Sequence, residues 1–182
     1  MRILITGAGG FVGAHLVAHL SRHMPDAELY GVYLSENDDS RVTPHLLDLR
    51  DDSAVRDLIA QTRPDQIYHL AGQANVRLSF DQPWETLEHN LRPQLNLTRA
   101  LIEVGIAPRM LVISSGEVYT PGGVHPDRPF DEETPIAPCN PYGVSKVAQE
   151  MLALSYYRSH ALPILRARPF NPFGPGQRVG FV

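Results

Sequence analysis

Arg2-Ile3-Leu4-Ile5-Thr6-Gly7-Ala8-Gly9-Gly10-Phe11-Val12-Gly13 is the stretch that decides the fold. A short β-rich run ends in glycines at 7, 10 and 13. A helical pattern follows, with Val12, Leu16, Val17 and Leu20 on one side. Strand, tight glycine turn and helix N-terminus together make an anion site. Backbone N–H groups and the positive helix end face a pyrophosphate, and the missing side chains let it approach. A lone glycine triplet means little; one that follows a strand and opens a helix is specific. His15 and His19 lie four apart on this helix with no acidic partner nearby, so they read as surface or packing residues and no metal site is expected.

Downstream, strands and helices alternate. Glu28 to Leu34 reads as the second strand and His45 to Leu49 as a third, ending at Asp48. A helix with Val55, Leu58 and Ile59 inward follows, capped by Asp51 or Asp52. Gln66 to Leu70 is a fourth strand running into Ala71-Gly72, where small residues let a cofactor pass close. Thr86 to Val104 is a long helical pattern with Leu87, Leu91 and Leu95 on one stripe and Pro93 inside it. A kink is expected there, beside Asn90. Arg109 to Ser114 is a fifth strand, and the hydroxyls of Ser114 and Ser115 at its carboxyl end are expected to face the ligand crevice. Thr120 to Pro141 carries six prolines and reads as a surface loop, placed to act as a lid over the helix that follows. That helix, Pro141 to about Ser159, leads to a sixth strand at Pro163 to Arg168. The alternation predicts an α/β fold, a Rossmann-like doubly wound parallel sheet of order 3-2-1-4-5-6 with right-handed crossovers. Residues 1–168 form the dinucleotide-binding domain in this reading. Residues 169–182 begin a substrate-binding part, most of which the chain lacks.

Composition bounds the function. The chain has 182 residues, 43% hydrophobic and 20% charged, the values of an ordinary globular domain. A formal charge of -4 argues against nucleic-acid and anionic-membrane partners. There is no membrane-spanning run and no signal peptide, and the single cysteine, Cys139, excludes an internal disulfide, so a reducing cytoplasm is expected. At the end of the second strand, where an acid holds the adenosine ribose, stand Tyr33 and Leu34; Glu36, Asp38 and Asp39 come late, and Arg41 is the first cation. That leaves room for a 2′-phosphate and favours NADP(H), with NAD(H) possible.

Chemistry concentrates in Asn140-Pro141-Tyr142-Gly143-Val144-Ser145-Lys146. On a helix Tyr142 and Lys146 fall one turn apart on one face. A phenol titrates near ~10, and an adjacent cation pulls that value toward neutrality. A phenol so tuned exchanges a proton with a carbonyl or hydroxyl at cellular pH.

The glycine spacing, the strand-end serine and Tyr142-x-x-x-Lys146 together resemble the extended short-chain dehydrogenase/reductases. Within them the chain is similar to the nucleotide-sugar group, above all the GDP-4-keto-6-deoxy-D-mannose reductases. The matching stretches are His69 to Gln73, Ile113 to Tyr119, Asn140 to Tyr142, Ala167 to Asn171, Gly174 to Gln177 and Gly180-Phe181-Val182. By resemblance, Ser115 hydrogen-bonds the reacting oxygen, Tyr142 is the acid/base, and Lys146 holds the nicotinamide ribose and keeps Tyr142 acidic. Glu117 aligns with the general base of the related dehydratases. Gly7, Gly10, Phe11, Val12, Gly13, Leu70, Ala71, Gly72 and Pro169 would hold the cofactor, with Asp48 and Leu49 flanking adenine and Asn90 serving the lysine's hydration or a kinked turn. Gln73, Ser115, Glu117 and Asn171 would meet the sugar nucleotide. The resemblance implies an NADPH-dependent reduction of a GDP-4-keto-6-deoxy-hexose by a homodimer. A GDP-mannose 4,6-dehydratase, a UDP-hexose 4-epimerase and a non-catalytic dinucleotide-binding sensor or scaffold stand as alternatives.

Overall fold

The structure, a computed structural model, describes residues 1–36, 39–119 and 129–177. Asp38, the first part of the proline-rich loop (120–128) and Gly180-Phe181-Val182 lie outside the described residues. Six strands form one parallel sheet of order 3-2-1-4-5-6: β1 (Arg2–Thr6), β2 (Glu28–Tyr33), β3 (Thr43–Leu46), β4 (Gln66–His69), β5 (Arg109–Ile113) and β6 (Ile164–Ala167). The helices are α1 (Phe11–His23), α2 (Asp52–Thr62), α3 (Val76–Asp81), α4 (Pro83–Val104) and α5 (Pro141–His160).

Central β1 shows why the chain folds this way. Ile3, Leu4 and Ile5 are all fully buried, as a strand covered on both faces requires. The two-residue pleat sends Ile3 and Ile5 to one core, with Val17 and Leu20 of α1, and Leu4 to the other, with Val55 and Ile59 of α2 and Leu97 and Leu101 of α4. Helices therefore lie on both faces, the doubly wound arrangement the alternation predicts.

Several boundaries differ from the sequence reading. On α1 the inward residues are Gly13, Val17 and Leu20, while Val12 is 45% exposed. β3 is placed two residues earlier than expected and includes Pro44, which an edge strand tolerates because one of its sides needs no ladder hydrogen bond. Asp48 consequently lies in the turn after β3, where it binds Arg50, and not at a strand end. Asp51 caps α2 by accepting from the Ala54 amide at 3.0 Å. Helix α3 has no apolar periodicity to announce it; Asn75 starts it by accepting from the Leu78 amide. Helix α4 begins at Pro83, runs through Pro93 as a single helix, and stops at the left-handed Gly105. Its buried face is Thr86, Asn90, Pro93, Leu97 and Leu101, whereas Leu87, Leu91 and Leu95 are only half-buried.

The ends of β1 and β4 are tied beneath the glycine turn. The Thr6 hydroxyl sits 2.8 Å from His69 Nδ1 and accepts from the Ala71 amide at 3.1 Å. Burial lowers His69 to about 3, with the Lys146 charge adding to the effect. An unfolded imidazole protonates near its ordinary value of 6.5, so between 6.5 and 3 the unfolded chain binds a proton that the folded chain refuses. Stability is therefore lost as pH falls through that window. We expect the urea midpoint to be lower at pH 5 than at pH 7, and a His69→Gln variant to show a smaller drop.

Candidate active site

The carboxyl ends of β1, β4 and β5 converge on the starts of α1 and α5. In the first turn of α1, Gly10 caps the helix without any side-chain hydrogen bond, and no acidic residue lies in that turn. The amides of Phe11, Val12 and Gly13 thus keep the unpaired donors and positive end that suit an anion. The turn itself is closed by the Gly10 amide on the Gly7 carbonyl at 2.9 Å. Gly7 has a φ of 67°, and a Cβ on it would meet the Ala71 amide nitrogen at 2.9 Å. A Cβ on Gly13 would come within 2.2 Å of the Gly7 carbonyl oxygen. Leu70 and Ala71 therefore lie against the glycine turn, as a dinucleotide cradle needs, and Gly72 follows them beside Asn90 and Lys146. These residues fit a pyrophosphate.

Proline at the first position and Asn140 as cap start α5, with the Asn140 side chain accepting from the Gly143 amide at 2.7 Å. The 3-10 turn Gly116–Val118 after β5 rests directly on this helix start. A Cβ on Gly143 would fall 2.4 Å from the Glu117 carbonyl oxygen. The contact brings Ser115, Glu117 and Tyr142 together. Ser115 Oγ accepts from the Glu117 amide at 3.1 Å, and its side chain lies near enough to the Tyr142 phenol to favour the phenolate. Glu117 Oε2 accepts from Asn140 Nδ2 at 2.7 Å. Ser114 faces the other way: its hydroxyl is buried and donates to Glu150 Oε1 at 2.5 Å, which corrects the expectation of two strand-end hydroxyls in the crevice.

Tyr142 and Lys146 are both buried, with the ammonium 5.6 Å from the phenol ring centroid. The ammonium donates to the Ile113 carbonyl at 3.0 Å and to Gln149 Oε1 at 2.9 Å. Burial lowers Lys146 to about 8. Tyr142 moves the opposite way to the expectation. Burial pushes the phenol up, the Ser115 hydrogen bond pulls it partly back, and the Glu117 charge pushes it up again.

Other expected residues are placed as follows. Asn90 is fully buried beside the turn after β4. It brackets the Gln73 backbone, accepting from its amide at 2.7 Å and donating to its carbonyl at 3.1 Å, and it also donates to Ser145 Oγ at 2.8 Å. Ser145 in turn donates to the Tyr142 carbonyl. The Gln73 side-chain amide donates to the Asn75 carbonyl and Thr86 Oγ1 and accepts from the Asn75 amide. Asp48 is held by Arg50. Leu49 packs in the core. Arg41 is gripped by Asp39 at 2.7 and 2.6 Å. The Pro169 carbonyl accepts from the Gly116 amide, Phe170 covers Gly116, and Asn171 is exposed. The segment then crosses to α1, where His15 Nε2 meets the Pro175 carbonyl at 2.9 Å; His19 stacks on His23. Cys139 is exposed.

One group escaped sequence reasoning. Fully buried Glu150 takes Arg168 in a bidentate pair at 2.7 and 2.7 Å, and Arg168 also donates to the Tyr119 phenol. Burial alone would raise the Glu150 carboxyl, but Arg168 and Ser114 outweigh it and hold it below the usual range. The signal was the i, i+4, i+8 series Tyr142, Lys146, Glu150 on one helix face.

The chain is similar to known proteins. The chain is 42% identical over 183 residues to GDP-6-deoxy-D-mannose reductase of Pseudomonas aeruginosa, covering 100% of this chain and 55% of that protein. Among solved structures it is similar to UDP-glucose 4-epimerase of Thermus thermophilus in complex with NAD, with a TM-score of 0.88, 32% identity, and 98% of this chain and 58% of that one covered. It is also similar to RMD from Pseudomonas aeruginosa complexed with NADPH, with a TM-score of 0.83, 40% identity, and 97% and 56% covered. The chain thus spans about half the length of the relatives it matches. Residues 3–182 match the NAD dependent epimerase/dehydratase family, and with the glycine turn, Ser115, Tyr142 and Lys146 in one crevice, the chain belongs to that family, among the extended short-chain dehydrogenase/reductases.

Proposed function

We propose that this chain is the cofactor-binding and catalytic part of an NADPH-dependent reductase that converts the C4 ketone of a GDP-4-keto-6-deoxy-hexose to GDP-D-rhamnose. The observation that carries the reading is the Tyr142 phenol, kept protonated by burial, with Ser115 acting on it and the Lys146 ammonium 5.6 Å from its ring centroid. The 42% identity to a GDP-6-deoxy-D-mannose reductase supports the substrate. A bound nicotinamide dinucleotide supplies the hydride. A phenol that stays protonated at neutral pH is the right form to give its proton to the emerging alkoxide. Ser115 Oγ donates to the same oxygen, a preorganised stabilisation of developing charge. Lys146 serves the ribose and holds positive charge near the phenol. Asn171, exposed on the segment after β6, would meet the substrate diphosphate, and 169–177 would begin the substrate-binding part.

Dehydration of GDP-mannose is the second reading, favoured by Glu117, whose charge acts on Tyr142 as a C5 general base beside it would. Steady oxidation of free NADPH with the GDP-keto sugar, and not with its UDP or dTDP counterparts, would establish the reductase. Conversion of GDP-mannose with no net NADPH consumption would replace it with the dehydratase.

For the cofactor, β2 ends without an acid at Tyr33 or Leu34, which favours NADPH while leaving NADH usable. Arg41 can read the 2′-phosphate only by exchanging Asp39 for it. Among the described residues no helix is long and apolar enough to cross a membrane. Helices α4 and α5 pack together and leave a half-buried stripe of Leu87, Leu91 and Leu95 beside exposed Val144 and Met151. Such a face suits a second copy of the chain in a homodimer.

Tyr142→Phe should lower turnover about 10²–10⁴-fold, the usual span for a lost proton donor, with NADPH affinity nearly intact. Unchanged turnover would remove Tyr142 from the chemistry. Arg41→Ala should raise KM for NADPH about tenfold, as loss of one charged contact does, and spare NADH. Equal effects on both cofactors would end that role. In sedimentation, the wild type should run as a dimer and a Val144→Asp/Met151→Asp variant as a monomer; a monomeric wild type would refute the pairing.

A further inference from the structure

Lys146 is the only lysine among the 182 residues. Its ammonium is buried, and none of the acceptors it reaches is charged. His69 on β4 is neutral at working pH. On α5, Tyr142 keeps its proton, and the Glu150 carboxylate is taken by Arg168 and Ser114. Glu117 is bound by Asn140. Helix α4 presents the uncharged Asn90 and Gln94, and Arg77 and Asp81 of α3 are exposed. On β6, Arg166 is exposed and Arg168 is held by Glu150.

A buried cation with no counter-charge stays charged only through the carbonyl dipoles it touches. Two do so. One is the backbone carbonyl of Ile113, and the other is Gln149 Oε1, at 2.9 Å. Gln149 is itself 1% exposed, and its backbone carbonyl is pinned by Gln94 Nε2 at 2.9 Å, so the helix turn bearing it cannot drift. A buried glutamine costs stability unless its polar atoms are partnered, and the partner of this side-chain oxygen is the Lys146 ammonium. An ammonium has three protons. Two are committed here, and the third remains for a ribose hydroxyl.

We propose that Gln149 is the positioning residue of Lys146: its side-chain carbonyl fixes where the ammonium sits and keeps it charged without neutralising it. The role deepens the oxidoreductase reading, on which the use of Lys146 toward a cofactor rests. A glutamate at this position would form an ion pair that competes with the cofactor for the cation. A leucine would leave the ammonium to Ile113 alone.

Because the chain has one lysine, uniform labelling with [ε-13C]lysine reports one side chain. The wild-type resonance should titrate near 8, where burial places Lys146. Gln149→Leu should lower the midpoint by roughly one pH unit, and Gln149→Glu should raise it by at least about as much. Gln149→Asn, whose carbonyl stops short, should follow the leucine variant. The pH dependence of NADPH affinity, read by fluorescence, should move with each midpoint. Titrations of folded variants that coincide with the wild type would overturn the proposal. If Gln149→Leu does not fold, the near-isosteric Gln149→Glu decides alone, since an unmoved midpoint there refutes the contact. Absence of NADPH binding in the wild type would sink the oxidoreductase reading, while the NMR titration would still decide whether Gln149 governs Lys146.

Discussion

The buried ion pair between Glu150 and Arg168 is the constraint on which the site depends. Glu150 is fully buried two turns beyond Tyr142, and its carboxylate is satisfied by Arg168 from the end of β6 and by Ser114 from the end of β5. Removing one member of such a pair leaves an uncompensated charge in the core, typically at a cost of about 3–5 kcal/mol. Only one rotation of α5 allows all three partners to meet. In that rotation Tyr142 and Lys146, on the same helix face, turn beneath the end of β5. Arg168 extends the lock to Tyr119, whose ring stacks on Phe130 at 4.8 Å and on Phe170 at 6.1 Å. The segments after β5 and β6 are thereby joined at the rim of the crevice.

Burial sets the protonation states in the site, and it acts on its two central groups in opposite senses of pKa but to the same end. It raises the Tyr142 phenol and lowers the Lys146 ammonium, in each case favouring the neutral form. Hydrogen bonds then decide what survives. Ser115 stabilises the phenolate end of the tyrosine equilibrium, and two carbonyls hold the ammonium proton. A protonated phenol beside a retained positive charge is arranged for delivering a proton to an oxygen that is becoming negative.

A polar scaffold stands behind the reacting groups. Asn90 clamps the Gln73 backbone to Ser145 and so links the turn after β4 to the first turn of α5. The Gln73 side-chain amide is used up in shaping that turn. These residues govern the site through the backbone they hold.

Much was legible in the chain as written. The alternation of strand and helix patterns, the glycines at 7, 10 and 13 and the one-turn spacing of Tyr142 and Lys146 are local signals, because backbone period and turn chemistry act over a few residues. They suffice for the parallel sheet, its order and the location of the crevice. Edges and faces were less legible: Pro44 inside an edge strand, α3 without a periodic stripe, and the polar buried face of α4 in place of its leucines. Each depends on what another element lays against it. The same holds for the chemistry. Sequence alone determined which residues could react, since residue type and helical spacing are properties of the chain. Only the tertiary structure decided that Lys146 answers to Gln149 and Ile113, that Tyr142 keeps its proton, and that Leu49 belongs to the core, because burial and hydrogen-bond partners are fixed by segments tens of residues away.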